Sequence, residues 1–380
     1  MDPTLPVLIV FHGDAGPGAG ERLVAGVRAA AAVESARAAL AAGFGGVIAA
    51  TDDPSALGAM PEGVVLDADP PGSRFDFGER LRDIVRRFAL AKPVVMGSGS
   101  LPLLSPADFK RVAVALDEPG VVVTNNLFSG DLTGWSPGDA VQTVGELARD
   151  NMLPRRLRDL AGLRPVTLPR TAATQFDIDT PADVCVLALQ DELPAGIRAA
   201  IGEGPLPLAA YRKVMGIVCD PKAELVIAGR VGSAAWPYLE TETACRVRLL
   251  SEERGMAAAG PEHRVRSMAG FLLEAVGISG FFERMAQLGD GIVIDTRVIE
   301  AHLGLKPSRE DRFQSDLLNF NGVRDPFLRE FTRSAHWAPK PVLLGGHSLV
   351  SGGLMALTDV AWREEDIRKA VRNAPLKAQR

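Results

Sequence analysis

At 380 residues the chain is too long for one typical core and suits two domains, and its 47% apolar content supplies a sizeable interior. A formal net charge of −5 gives no electrostatic reason to expect nucleic acid as a partner. Three widely spaced cysteines, Cys185, Cys219 and Cys245, form no CxxC pair and so exclude a zinc framework or a secreted disulfide scaffold. Met1-Asp2-Pro3 leads straight into an apolar run without the basic start of a signal peptide. No apolar stretch approaches the roughly 20 residues of a membrane helix. The expectation is a cytoplasmic protein with no membrane partner.

In chain order, "VLIVF" (Val7–Phe11) predicts a buried strand, continuous rather than alternating as in a sheet covered on both faces. The Gly-rich loop "HGDAGPGAGER" follows, then a long Ala-rich helix from about Glu21 to Ala42. "GGVIAATDD", "GVVLD" and "KPVVMGSGS" predict three further strands, with the amphipathic helix "FDFGERLRDIVRRFA" between the last two. Ser105-Pro106 starts the next helix, Ser at the N-cap and Pro at the first helical position. "GVVVTNN" and "PVTL" complete the strand set, and Thr180-Pro181 opens another helix. Strands alternating with helices predict parallel βαβ units and an α/β fold. The Pro- and Gly-rich stretch 193–208 predicts a boundary between domains over 1–198 and 205–380. "ELVIAG", "GIVID" and "PVLLGG" make the second half α/β as well, with more helix.

Three motifs stand in a telling order: the Gly-rich loop after strand one, then "GSLPLLSPADF", then "QFDIDTPADV". Together they resemble the MobA-like nucleotidyltransferases, the molybdenum-cofactor nucleotidyltransferases and 2-phospholactate guanylyltransferases among them, over about residues 5–192. The resemblance implies a Rossmann-like, glycosyltransferase-A type domain that binds an NTP and Mg²⁺. It further implies transfer of a nucleoside monophosphate to a small phosphorylated acceptor with release of pyrophosphate, GTP being the first nucleotide to consider. Such chemistry needs positioning and charge neutralisation more than covalent help. The metal ligand carries over onto Asp179, with Asp177 beside it, and these two with Ser100 are the catalytic candidates. Where the family has its other metal-binding Asp, this chain has Ser100, and Ser98 offers no carboxylate either. The loop with Gly13, Gly16 and Gly18 would receive the triphosphate through its amides, with Arg22 as its cation and Asp14 opposing it.

From the residues themselves, Asp177 and Asp179 flank Ile178 and share one face of an extended segment. A plainer role for Asp179 is to accept amide bonds at the following helix N-terminus. Asp52 ends a strand at an edge where open sheets bind ligands, and Asn125 and Asn126 end another, where they contact a base or simply form a turn. "PVLLGGHSLVSGG" is no nucleophile elbow, because Val350 replaces the last glycine and no histidine follows Ser348. Its Gly345 and Ser348 amides suit an anion instead. Arg246 and Arg248 share a strand face, either clamping an acidic substrate or pairing with acids such as Glu252 and Glu253. Asp290 and Asp295 flank a buried strand and offer a carboxylate that could compensate for Ser100. The second half shows no recognised family; shaping an acceptor pocket, a homodimer contact or an unrelated activity are the roles open to it. The alternative to transfer is a nucleotide- or metabolite-binding protein that has lost catalysis.

Overall fold

The computed structural model describes the chain apart from residues 14–15, 71, 73, 203, 257–259, 261–262 and 374–380. The chain divides into two compact units. The first comprises Met1–Pro17, Arg22–Ile178 and Pro194–Gly202, and the second Gly18–Glu21, Asp179–Leu193 and Glu203–Arg380. Passage into the second unit after Gly202 falls within the Pro- and Gly-rich stretch. The second unit also takes Asp179–Leu193, which the boundary from composition does not anticipate. The cause is the helix Pro181–Ala188, whose residues 181–187 are all buried, so it has no solvent face and needs cover all round.

The first unit is built on a seven-stranded sheet. Its strands are β1 (Pro6–His12), β2 (Gly46–Thr51), β3 (Val64–Ala68), β4 (Lys92–Gly97), β5 (Val121–Thr124), β6 (Leu132–Ser136) and β7 (Arg164–Thr167), in the order β3-β2-β1-β4-β6-β5-β7. β1 is wholly apolar to its last residue and lies between parallel neighbours β2 and β4. Two apolar clusters, one including Leu8, Val10 and Phe109 and the other Ile9, Leu81 and Trp135, cover it with helices. This is the Rossmann-like α/β architecture. β6, a strand absent from the sequence expectation, runs antiparallel to both β4 and β5. "LTGWS" is a weak strand signal because Gly134 interrupts it. That glycine permits close packing, since a Cβ there would stand 3.0 Å from Val94.

The long first helix is Ala19–Ala41, and the helix after β4 is Pro106–Ala115 with a Ser105–Asp108 capping box. Among the described residues, no helix is long and apolar enough to cross a membrane.

The second unit carries a four-stranded sheet of β8 (Glu224–Gly229), β9 (Arg246–Ser251), β10 (Gly291–Asp295) and β11 (Val342–Gly345). The order is β11-β10-β8-β9, and every pairing is parallel. Its core is aromatic on one face, with Phe281, Phe282 and Phe331 packed ring against ring beside Ile292 and Leu344.

Candidate functional site

In the first sheet the strand order reverses between β1 and β4, and the carboxyl ends of open sheets at such a point are where ligands bind. The register determines what gathers there. Phe11 pairs with Gly97 and His12 with Thr51, so His12, Ser98 and Asp52 leave the sheet side by side. His12 Nδ1 lies 3.0 Å from Ser98 Oγ, and both residues are buried. Burial pulls the His12 pKa down, against an opposing pull from Asp52, so the ring is neutral at pH 7. A Cβ on Gly13 would come within 3.1 Å of Asp52 Oδ1, so Gly13 lets that carboxylate lie against the loop. The sequence reading passed over His12. Its signal was a lone polar residue ending an otherwise apolar strand at the functional edge.

Ser100 and Asp177 meet. They form an isolated antiparallel bridge, the Leu101 amide donates to Asp177 Oδ1 at 3.1 Å, and the Ile178 amide donates to the Gly99 carbonyl at 2.8 Å. Leu101 holds φ at +49°, a left-handed conformation rare for a residue with a Cβ. Its buried side chain and captured amide hold it there, and such conformations gather at functional sites. Arg28, on the first helix, donates from Nε to the Ile178 carbonyl at 2.6 Å. A Cβ on Gly99 would come 2.9 Å from that nitrogen, so the glycine makes room for the guanidinium. Arg28 is the second residue the sequence reading did not single out, being one arginine inside an Ala-rich helix.

Of the residues implied for Mg²⁺, Ser100 brings no charge and Asp177 commits one oxygen to the Leu101 amide, while Asp179 keeps a partly exposed carboxylate. Among the described residues, no group of three or more His, Cys, Asp or Glu side chains could hold a metal ion.

The asparagines serve their turn. Asn125 is buried; its amide nitrogen donates to Asp131 and the Thr174 carbonyl, and its oxygen accepts the Asp131 and Leu132 amides. That uses its full donor capacity and leaves none to recognise a base. Asn126 accepts the Phe128 amide at 3.1 Å in an Asx turn.

Of the Gly-rich loop, Asp14 lies outside the described residues. Gly16 is half-buried. Exposed Arg22 donates to the Pro17 carbonyl. Gly18–Glu21 cluster with the second unit, where Gly20 and Glu21 donate their amides to Glu310 Oε1 and Oε2, each at 3.1 Å. A Cβ on Gly20 would press on Phe313 at 2.9 Å, so this glycine admits the helix Arg309–Asp316. Those two amides already hold a carboxylate.

Also in the second unit, Asp179 Oδ2 lies 3.6 Å from His347 Nδ1, both partly exposed. The amide-accepting role weighed for Asp179 falls instead to Asp183, whose Oδ2 accepts the amides of Asp179 and Thr180 and the Thr180 hydroxyl. Burial, and then the charge of Asp179, push the Asp183 pKa up to about 8, and Asp183 Oδ1 has no hydrogen-bond partner. Asp295 and Asp290 are not spare carboxylates. Asp295 is fully buried and bonded to Arg230 at 2.6 and 3.0 Å, while Asp290 pairs with Lys340 at 2.8 Å. Arg246 and Arg248 pair with Glu224 rather than Glu252 or Glu253. Gly345 accepts Arg297 through its carbonyl, and Ser348 is buried at the start of a π-turn.

The chain matches no protein-family model, and no curated protein matches it. Solved structures do. A candidate nucleotide-diphospho-sugar transferase from Desulfovibrio desulfuricans G20 has 17% identity and a TM-score of 0.38, covering 52% of this chain and 97% of its own. A nucleotidyl transferase from Methanothermobacter thermautotroptrophicus has 17% identity and a TM-score of 0.34, covering 45% and 90%. A cytidylyltransferase from Leptospira borgpetersenii serovar Hardjo-bovis has 12% identity and a TM-score of 0.37, covering 53% and 99%.

Proposed function

We propose that the first unit binds a nucleoside triphosphate at the carboxyl edge of β1 and β4 and transfers its nucleoside monophosphate to a small phosphorylated acceptor. GTP is the nucleotide to test first. An acceptor phosphate oxygen attacks the α-phosphorus, a new P–O bond forms, and the bond to the β-phosphate breaks with its electron pair leaving on pyrophosphate. The enzyme's task in such a step is positioning and charge neutralisation. The observation that carries the reading is the convergence at that edge of the His12–Ser98 pair, the Arg28 guanidinium and the stitched Ser100–Asp177 segment. Arg28 supplies positive charge for a phosphoryl group, and neutral His12 supplies a hydrogen bond without adding charge.

The test screens NTPs against pools of phosphorylated acceptors for pyrophosphate release. The wild type releases pyrophosphate with at least one pairing, and Asp177→Ala, which unlinks the Ser100 loop, is slower. An absence of release with every pairing, or an undiminished rate in the variant, contradicts the proposal. Binding without release would leave the binding-protein alternative.

A further inference from the structure

We infer that the first half of the helix Met268–Leu288 is the contact surface of a homodimer, in which it packs antiparallel against the same segment of a second copy of this chain. The helix is interrupted at Gly277, whose φ of +70° suits a glycine, so residues 268–276 form one straight run about 13.5 Å long. Its inner face, with Ala269, Gly270 and Leu273, is buried, and Ala269 and Leu273 join the core cluster of the second unit. At about 100° per residue, Met268, Phe271, Ala275 and Val276 fall on the opposite face. All four are exposed there, the three large side chains by 64%, 46% and 36%. Glu274 is the only charged residue in the run. A helix that is apolar on both faces belongs in an interior, and this one has cover on one face only.

The segment is firmly held. Ser267 caps it, its Oγ accepting the Gly270 amide at 3.1 Å and donating to Glu252 at 2.6 Å, while the Ser267 amide donates to His302 Nδ1 at 3.0 Å. Gly270 lets the helix lie on His302, since a Cβ there would stand 2.4 Å from the ring. The outward face is therefore presented ready-made, and covering it costs little ordering.

Three features select a second copy as the cover. First, Met268, Phe271 and Ala275 are spaced symmetrically about a point between Phe271 and Leu272. An antiparallel pair centred there sets Met268 of each copy against Ala275 of the other, large against small, as a self-complementary contact requires. Second, the same pairing carries Glu274 over the first helical turn of the other copy, where unsatisfied amides favour a carboxylate. Arg266 borders that turn, its guanidinium 5.8 Å from the centre of the Phe271 ring. Like flanks meet in an antiparallel pair, so each Glu274 approaches the other copy's Arg266. Third, a lipid surface attracts helices with basic flanks, whereas the charge in this run is acidic and the chain carries −5 overall. A stable dimer buries about 800 Å² on each partner, more than so short a run offers, so the association is weak, in the micromolar range.

The experiment is sedimentation velocity of the full chain from roughly 1 to 100 µM. The wild type is expected to pass from monomer to dimer across that range. Phe271→Glu, at a half-exposed position, should weaken the dimer by about tenfold or more. Glu274→Arg should weaken it too, and adding Arg266→Glu should restore most of the loss. A chain that stays monomeric throughout, a dimer unchanged by Phe271→Glu, or a charge-reversed pair no tighter than Glu274→Arg alone overturns the inference. So does a monomer that co-sediments with phosphatidylcholine or phosphatidylglycerol vesicles, which would assign the face to lipid. The wild-type arm needs no variant, and melting curves identify any variant that has lost its fold.

Discussion

At the carboxyl edge of the first sheet the buried polar groups are uncharged, among them a histidine and a serine bonded to each other, and Arg28 donates to the carbonyl of Ile178 nearby. At the same edge of the second sheet they are two ion pairs, Arg230 with Asp295 and Arg297 with Asp316, in which each carboxylate is fully buried. Both edges sit where the strand order reverses, so topology alone would nominate either for a ligand. The difference lies in where the charge goes. Burying an ion requires a partner, and the second edge supplies each acid with its own arginine. The first edge keeps His12 neutral, and Arg28 donates there to the Ile178 carbonyl. On the proposed reading the first edge meets a charged ligand, whereas the ion pairs of the second hold its own sheet together.

The sharpest way to break this comparison is Asp295→Ala. It strands Arg230, whose side chain is only 21% exposed, and should cost about 3–5 kcal/mol in urea unfolding. A loss under about 1 kcal/mol would deny the pair its structural role. Next come opposite pH dependences. Asp183, raised to about 8, keeps in the folded chain a proton that the unfolded chain releases above the ordinary carboxylate range. The second unit should therefore lose stability as pH rises from about 4 to about 8, by no more than about 1.4 kcal/mol per pH unit. Asp183→Asn should flatten that slope. Ser105→Ala removes a helix cap and should cost about 1 kcal/mol in denaturant melts, without altering nucleotide affinity. The smallest effect belongs to His12. Its lowered pKa means that the unfolded chain takes up a proton which the folded chain refuses, so stability falls as pH drops below about 6.5. His12→Gln should remove that fall, and an unchanged acid limb would place the ring's titration elsewhere.

Much of the fold was legible because its signals are local. Continuous apolar runs marked β1, β4, β5 and β10, and Ser-Pro and Thr-Pro marked two helix starts that the structure caps as expected. β6 was not legible, since an antiparallel strand interrupted by Gly134 declares itself only through its neighbours. At the site, the face shared by Asp177 and Asp179 follows from strand alternation, and both alternate with buried residues in the structure. Three other features depend on contacts distant in sequence. Ser98 meets His12 across 86 residues, Arg28 meets Ile178 across 150, and Glu310 claims the Gly20 amide across 290. The glycines at 18 and 20 illustrate the cost of reading locally. They suggest a phosphate cradle, yet in the structure they admit a helix carrying a carboxylate.

The central claim is that the edge formed by β1 and β4 takes a nucleotide. Crystals of the full chain soaked with GTP test it most directly. The account predicts phosphate density within hydrogen-bonding distance of Arg28, close to His12 and Ser98. Nucleotide density away from that edge, with Arg28 still bonded only within the protein, would contradict it.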